Sequence, residues 1–390
     1  MTAPRRLPAV FLALLLAWAV LSLGVQGRWA WAIFQIGVFA MGAWRLLVTR
    51  PLVLRAPLVP LAAAALWPLL QLALGTTVYR GGTWVAALDW GTFLVVFVLA
   101  QDLIRDTPER HGFLQAAALF GMCVAILATI GEFACPGKIL CLFDSGLSGE
   151  VMGPFVNRNQ YCAWIELLLP MSLYLAATHS RRRALFATAS VVMFGSVVAS
   201  ASRAGTALAA AEIVAVAVAL AVRHGVARRR LALGAAQFVV LAAIGVSVVG
   251  WQGVWGRWRN VGPEVLRKDA LKASLQMIEA KPWSGSGLGT WSRIYPRYAS
   301  VDRGLFVNQA HNDWVQWAAE GGLPFFLFLF FFAALSWKPA IQSIYGLGMV
   351  VFLLHALVDY PMQQRPGLAA WFFCVAGVAG ACRQGWDPKP

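Results

Sequence analysis

The chain has 390 residues, of which 59% are hydrophobic and only 13% are charged. Together with a mean hydropathy of +0.67, this composition excludes an ordinary soluble globular domain and is typical of a protein that crosses a membrane many times. The net charge of +15 does not indicate a nucleic-acid-binding protein, because the basic residues form short clusters between apolar segments.

Apolar segments of suitable length predict twelve transmembrane helices. They lie near residues 7–25, 29–48, 58–74, 84–101, 113–134, 160–178, 184–200, 204–222, 231–250, 323–337, 340–357 and 367–382. The segment that carries Asp89 and the short segment 323–337 fit the pattern least well. Because a helix satisfies its own backbone hydrogen bonds in lipid, we expect an all-α polytopic membrane bundle that forms a single domain over residues 1–390.

The distribution of Arg and Lys predicts how the chain is oriented in the membrane. These residues concentrate in alternate loops, such as those that contain Arg181–Arg183 and Arg228–Arg230. This bias predicts that both termini are cytoplasmic and that the long polar segment 251–322, between the ninth and tenth spans, lies outside. The first apolar segment shows no clear small-residue cleavage site, so we expect it to remain as the first helix.

The cysteines agree with this orientation. Cys135 and Cys141 share the loop CPGKILC on the expected outer side, where a disulfide can persist, although their spacing permits a bridge without requiring one. Four further cysteines lie in or beside apolar spans, where thiols are ordinary packing groups; they are Cys123, Cys162, Cys374 and Cys382. The sequence contains neither CxxC nor HExxH, so nothing in it points to a metal ion or a cofactor.

The segment NQAHNDWVQWAAEGG, residues 308–322, gathers three titratable side chains immediately before an apolar run. A helix beginning near Asn312 would place His311 beside backbone N–H groups whose field favours the neutral imidazole, which can act as a base. His311 and Asp313 would then point away from each other. A helix that only caps the next span explains the segment about equally well.

Two segments that precede residues 308–322 contain further candidate features, a basic residue and a predicted helix followed by a turn. Arg203, in SASRAG, lies where two apolar segments meet, so it either faces the interior or an anion, or reaches lipid headgroups. The stretch VLRKDALKASLQMIEAKP predicts a helix that ends at Pro282. The glycines of SGSGLG then predict a turn with close backbone approach.

Two further polar motifs fall on the same expected side. GPFVNRNQY places Asn157 and Asn159 at the mouth of a span, where amides bind sugar hydroxyls or cap the helix. HALVDYPMQ places His355 and Asp359 four residues apart, on one face of a helix that Pro361 would end. This spacing favours a hydrogen-bond clamp between helices.

Taken in order, these segments resemble a known family, the O-antigen ligase and Wzy polymerase superfamily of bacterial membrane glycosyltransferases. The resemblance rests on GPFVNRNQY, SASRAG, the helix from Arg267 to Pro282 with SGSGLG, AHNDWVQWAAEGG and HALVDYPMQ, and it covers residues 150–366. It implies a GT-C-like fold in the bacterial inner membrane. It also implies a metal-independent, inverting transfer of a glycan from undecaprenyl diphosphate to an acceptor hydroxyl on the periplasmic face.

The resemblance further implies residue roles. His311 would be the catalytic histidine, and Arg203 and Arg267 would hold the diphosphate. The remaining candidates for substrate binding are Asn157, Asn159, Asp313, Glu320, His355 and Asp359.

The acceptor stays open at this point. It is lipid A core in a ligase, a second lipid-linked glycan in a Wzy-type polymerase and a protein hydroxyl in a protein O-oligosaccharyltransferase. A transporter is the alternative from a different functional class, although the sequence shows no internal repeat.

Overall fold

The structure is a computed structural model of the full chain. It describes residues 6–24, 27–48, 52, 55–146, 151–226, 229, 232, 236, 240, 243, 262–301, 304, 306–363 and 367–381.

These residues form thirteen α-helices and one small hairpin. The helices are α1 (Arg6–Leu21), α2 (Arg28–Leu47), α3 (Leu58–Ala73), α4 (Arg80–Leu103), α5 (Thr107–Ala134), α6 (Arg158–Thr178), α7 (Arg183–Ala199), α8 (Arg203–His224), α9 (Gly262–Ala280), α10 (Trp291–Ile294), α11 (Asp313–Gln342), α12 (Ile344–His355) and α13 (Gly367–Ala381). The hairpin pairs β1 (Lys138–Ile139) with β2 (Phe143–Asp144) in antiparallel register, and a 3-10 turn at Tyr295–Arg297 follows α10.

The helices confirm the expected all-α membrane bundle. Six of those described, α2, α4, α5, α6, α8 and α11, are long and apolar enough to span a membrane, and α1, α3, α7, α12 and α13 are shorter apolar helices. Each predicted span coincides with one of these helices except 231–250, most of which lies outside the described residues.

Aromatic packing holds the centre of the bundle together. Trp90 of α4 lies edge-on to Phe325 of α11 at 5.0 Å and to Phe373 of α13 at 5.9 Å between ring centroids. Fifteen of the 21 residues of α6 are buried, so α6 lies in the interior of the bundle. A polar side chain on α6 therefore needs a partner inside the protein.

The predicted span 323–337 is too short and is not a separate helix. The structure instead continues from Asp313 to Gln342 as α11, with a kink at Gly322, where φ is 72° and ψ is 179°. A glycine adopts this conformation without steric cost, and Pro324 just beyond it cannot donate a backbone hydrogen bond. The kink separates a short first segment of α11, residues 313–321, from the apolar span that follows.

The polar segment 251–322, called the insertion from here on, includes α9, α10 and the first segment of α11. Within it, α9 and α10 pack against this first segment of α11. Ala273 and Met277 of α9, together with Trp291, Tyr295 and Ala319, form a second small hydrophobic core. α9 ends at Ala280, in agreement with the predicted stop at Pro282. The insertion is therefore built against the helix that follows His311.

The turn SGSGLG lies directly against the backbone of α11. Gly285, Gly287 and Gly289 all have positive φ, and a Cβ at Gly285 would lie 2.2 Å from the carbonyl oxygen of Glu320. The N–H of Gly287 donates to that same carbonyl at 2.9 Å. The structure thus confirms the predicted turn and explains why it needs glycine.

Cys135 and Cys141 form a disulfide, as their loop suggested. The bridge spans the hairpin that follows α5, and the backbone of Leu140 donates to Gly153 at the start of the GPFVNRNQY motif. The bridge therefore braces the loop that leads into α6.

Candidate functional site

His311 and Asp359 meet at the end of the bundle where the insertion lies. His311 has a left-handed backbone, with φ of 55°, immediately before the helix cap Asn312. Its Nδ1 lies 3.5 Å from Oδ1 of Asp359, and its side chain is 24% exposed, whereas that of Asp359 is 2% exposed. The imidazole thus faces a buried carboxylate and remains partly accessible. Its closest charged contact is this carboxylate, which the sequence analysis did not predict.

Asp359 is held in place from several directions. The N–H of Tyr360 donates to Oδ1 at 2.9 Å, and the amide of Asn159 donates to Oδ2. Burial alone would raise the pKa of Asp359, but the nearby imidazole of His311 and the positive fields of His355 and Arg267 lower the pKa below its usual value. The carboxylate is therefore charged and fixed opposite the imidazole.

Asn159 connects this pair to the start of α8. Its Oδ1 accepts a hydrogen bond from Oγ of Ser202 at 2.7 Å, and that hydroxyl in turn accepts from the N–H of Gly205 and caps α8. Arg203 is the next residue, the first of α8, and it is exposed. These hydrogen bonds, from Asp359 through Asn159 to Ser202, therefore hold the backbone of Arg203 near the pair His311 and Asp359, which we call the histidine site.

Arg267 approaches from the insertion. It lies on α9, is partly buried, and its Nε has no hydrogen-bond partner in the described part of the chain. Its positive charge acts on both Asp359 and His355. A partly buried guanidinium with an unused donor is suited to hold an anion.

Asn157 caps α6 and also supports the aromatic wall of the site. Its Oδ1 accepts from the N–H of Asn159 at 2.8 Å, and its amide donates to the hydroxyl of Tyr360 at 3.3 Å. The ring of Tyr360 lies edge-on to His311, with 4.7 Å between the ring centroids. The capping alternative for Asn157 is thus the one that the structure displays.

His355 and Asp359 do clamp helices together, but not from one helix face. α12 ends at His355, so the predicted helix to Pro361 is wrong, and Asp359 lies in the turn that follows. Nδ1 of His355 lies 2.9 Å from Oε2 of Glu166, and Asp359 contacts Asn159. Both partners belong to α6, so the segment 355–359 fastens α12 to α6.

Asp313 and Glu320 bind backbone groups of the protein itself. Oδ2 of the buried Asp313 accepts from the N–H of Met362 at 3.0 Å. The carboxylate of Glu320 accepts from the N–H of Trp291 at 2.7 Å and from that of Gly289 at 3.1 Å. These contacts tie the first segment of α11 to the loop after α12 and to the insertion.

Three contributors were not identified from sequence. Ser202 lies inside the quoted motif SASRAG, and its position before a helix is a typical capping signal. Tyr360 lies inside HALVDYPMQ. Glu166 is one charge within an apolar run, and only the fold reveals that it faces His355.

The site therefore unites segments that are far apart in sequence. GPFVNRNQY supplies Asn157 and Asn159, SASRAG supplies Ser202 and Arg203, and α9 supplies Arg267. AHNDWVQWAAEGG supplies His311, and HALVDYPMQ supplies Asp359 and Tyr360. The five segments that carried the resemblance lie at one end of one bundle.

Comparison with known proteins indicates a family for part of the chain. A family model described as O-antigen ligase matches residues 167–331. No curated protein matches the chain. The matched range contains Arg203, Arg267, His311 and Glu320, whereas Asn159 and Asp359 lie outside it. Residues 167–331 of this chain are therefore similar to the O-antigen ligase family, within the superfamily that the motifs resemble.

Proposed function

We propose that the protein is an O-antigen-ligase-type glycosyltransferase that moves a glycan from undecaprenyl diphosphate to a hydroxyl of lipid A core. In this proposal the chain is one GT-C-like membrane domain of the bacterial inner membrane. Segment 251–322 is periplasmic, as the distribution of Arg and Lys suggests. The family match over residues 167–331 supports a membrane glycosyltransferase of ligase or polymerase type.

His311 is the proposed general base. The acceptor oxygen gives its proton to Nε2 of His311 and attacks the anomeric carbon, while the bond from that carbon to the diphosphate oxygen breaks. The diphosphate leaves with the electron pair, and attack from the opposite face inverts the configuration. Asp359, 3.5 Å from Nδ1, orients the ring and stabilises the imidazolium that forms.

Arg203 and Arg267 are the proposed diphosphate ligands. Negative charge develops on the leaving group as the bond to the sugar breaks, and fixed guanidinium groups stabilise that charge. The anchored start of α8 and the unused Nε of Arg267 support this assignment. In this proposal the arginines perform the task for which other glycosyltransferases use a metal ion.

The other candidates act mainly by positioning. Asn159 holds Asp359 and Ser202, and Asn157 holds Tyr360. Asp313 and Glu320 hold the loops on either side of His311. His355 fastens α12 to α6 through Glu166. Each of these residues keeps the imidazole and the guanidinium groups in one arrangement.

One observation carries the proposal: a partly accessible histidine faces a buried carboxylate, which is linked through Asn159 to the start of α8 and feels the positive charge of Arg267. A transporter would be expected to have paired broken helices near the middle of the membrane. Here the polar cluster lies at the end of the bundle beside the insertion. This position is suited to transfer between lipid-linked substrates at a membrane surface.

A deletion strain provides the direct test. The proposal predicts that lipopolysaccharide loses its attached polymer while lipid-linked polymer accumulates, and that the intact gene restores attachment. Chains limited to a single repeat would instead indicate a Wzy-type polymerase. An unchanged lipopolysaccharide together with a loss of glycan from proteins would indicate a protein O-oligosaccharyltransferase.

A further inference from the structure

A cavity of about 520 Å³ lies beside the histidine site and is not part of it. One wall is a face of α4 that runs from Gly82 to Phe93, a length of about 16 Å at 1.5 Å per residue. The opposite wall consists of the turn at residues 288–292, Asn308, Gln309 and the first segment of α11. The volume is in the range of small-molecule binding sites.

The lining combines aromatic rings with amides and carboxylates. Trp90 and Trp317 lie 6.2 Å apart at the inner end, and Tyr79 is exposed at the outer end. Side-chain amides come from Asn308, Gln309, Gln316 and Gln363. A sugar ring has apolar C–H faces and a rim of hydroxyls, so aromatic rings and amides together match its chemistry.

Asp89 supplies an acceptor that the fold leaves unused. Its Oδ1 accepts from the indole of Trp31 at 2.8 Å and from the amide of Gln35 at 3.1 Å, which fixes the carboxylate. Within the described residues Oδ2 has no hydrogen-bond partner, although the side chain lines the cavity. The buried Nε2 of Gln363, also on the cavity lining, is likewise without a partner. Unpaired polar groups in a cavity indicate a polar ligand.

The charges on this lining distinguish the cavity from the diphosphate site. Asp89 and Glu320 are acidic, and Arg28 is the only basic residue on the described lining. Such a surface does not favour a diphosphate, whereas carboxylates accept hydrogen bonds from sugar hydroxyls. Arg203 and Arg267 do not line the cavity.

The cavity shares a wall with the histidine site. Oε1 of Gln316 accepts from the N–H of Ala310 at 2.9 Å, and the amide of Gln316 donates to Gln309. Ala310 directly precedes His311. Met362, on the other side, donates its N–H to Asp313 and lines the cavity. Residues of the cavity wall are thus adjacent in sequence, or hydrogen-bonded, to the residues on either side of His311.

We infer that this cavity binds the saccharide of the acceptor substrate and presents its hydroxyl toward His311. The inference rests on the proposed function, and it adds Asp89, Trp90, Gln316 and Gln363 as acceptor-binding residues. The donor diphosphate occupies the arginine side, and the acceptor sugar occupies the aromatic and amide side. The two substrates thus approach the histidine from different directions.

Two substitutions on α4 test the cavity. Val85→Phe places a ring in the cavity, and Asp89→Asn removes the carboxylate while keeping an acceptor oxygen for Trp31. Leu88→Phe is the matched control, because Leu88 lies on the same helix but is exposed on the outside of the bundle. Each change is made in the full chain that also carries His311→Ala, so that binding is measured without turnover.

The measurement is equilibrium binding of two probes to each variant in nanodiscs. The probes are the delipidated core oligosaccharide of lipopolysaccharide and free undecaprenyl diphosphate. Val85→Phe, which fills the cavity, and Asp89→Asn, which removes a charged hydrogen-bond acceptor, should each weaken oligosaccharide binding about 10-fold or more. Binding of undecaprenyl diphosphate should change by less than about 2-fold, and this probe also reports that the variant is folded.

The inference is overturned if the oligosaccharide does not bind, if it binds both cavity variants normally, or if Leu88→Phe weakens it equally. It is also overturned if the cavity variants weaken undecaprenyl diphosphate instead. Failure of the proposed function is distinguishable, because it appears as continued transfer by the His311→Ala protein. That result leaves the oligosaccharide measurement valid on its own.

Discussion

At the scale of single residues, Asp359 is the partner of His311 in the proposed mechanism. Asp359→Asn removes the charge that stabilises the imidazolium but keeps a side chain of the same shape. The transfer rate should fall by about 10- to 100-fold, a part of the roughly 100- to 10,000-fold that a positioned base contributes. Initial rates with purified donor and acceptor measure this effect. Asp144→Asn, an exposed carboxylate on the hairpin, should leave the rate unchanged.

The lowered pKa of Asp359 also predicts a pH dependence of stability. A depressed pKa means that the ionised contact stabilises the fold above the ordinary value of about 3.9 and that this stability is lost as the pH falls through the lowered pKa. The difference in Tm between wild type and Asp359→Asn should therefore shrink below about pH 4. A difference that stays constant would show that the carboxylate does not contribute through its charge.

The arginines are tested by a substitution that keeps the charge. Arg203→Lys and Arg267→Lys retain a cation but lose the planar fork that binds two phosphate oxygens at once. Each should lower the transfer rate about 10-fold or more at a normal protein level in the membrane. Arg182→Lys, in the exposed turn between α6 and α7, is the matched control. Full activity of either site variant would rule out a bidentate role for that residue.

At the scale of elements, the turn SGSGLG fixes the insertion against α11. Gly285→Ala combines an unfavourable positive φ with a Cβ only 2.2 Å from a backbone oxygen of Glu320. Gly75→Ala has the same sign of φ, +67°, but open space around it. The control should cost about 1 kcal/mol, whereas Gly285→Ala should cost about 2 kcal/mol or more. Thermal unfolding and limited proteolysis of the insertion measure the difference.

The sequence predicted some elements well because their signals are local. Hydropathy located the spans, Asn312 was correctly expected near the start of α11, and Pro282 marked the end of α9. The kink at Gly322 and the early end of α12 at His355 were missed, since both depend on packing between helices.

The contacts of Glu166 with His355 and of Asp359 with Asn159 join residues about 190 to 200 positions apart. Only a fold can bring such residues together.

At the scale of the whole molecule, the proposal requires that the insertion and the turn between α6 and α7 lie on opposite sides of the membrane. Trp283→Cys, at an exposed residue of the insertion, should react with a membrane-impermeant thiol reagent in intact cells whose outer membrane is permeabilised. Arg182→Cys should react only after lysis. Both are made in a background where the free cysteines are Ser. The reverse labelling pattern would contradict the positive-inside orientation.

In the proposed mechanism, His311 removes the acceptor's proton at the site where five separate segments meet. The most direct measurement is the initial rate of transfer by purified His311→Gln, with lipid-linked donor and lipid A core acceptor. Gln can hydrogen-bond but cannot accept a proton at neutral pH, so the rate should fall by roughly 100- to 10,000-fold, as for His311→Ala. Binding of undecaprenyl diphosphate should stay normal. Near-normal turnover by the Gln variant would contradict the claim and would make His311 an orienting group.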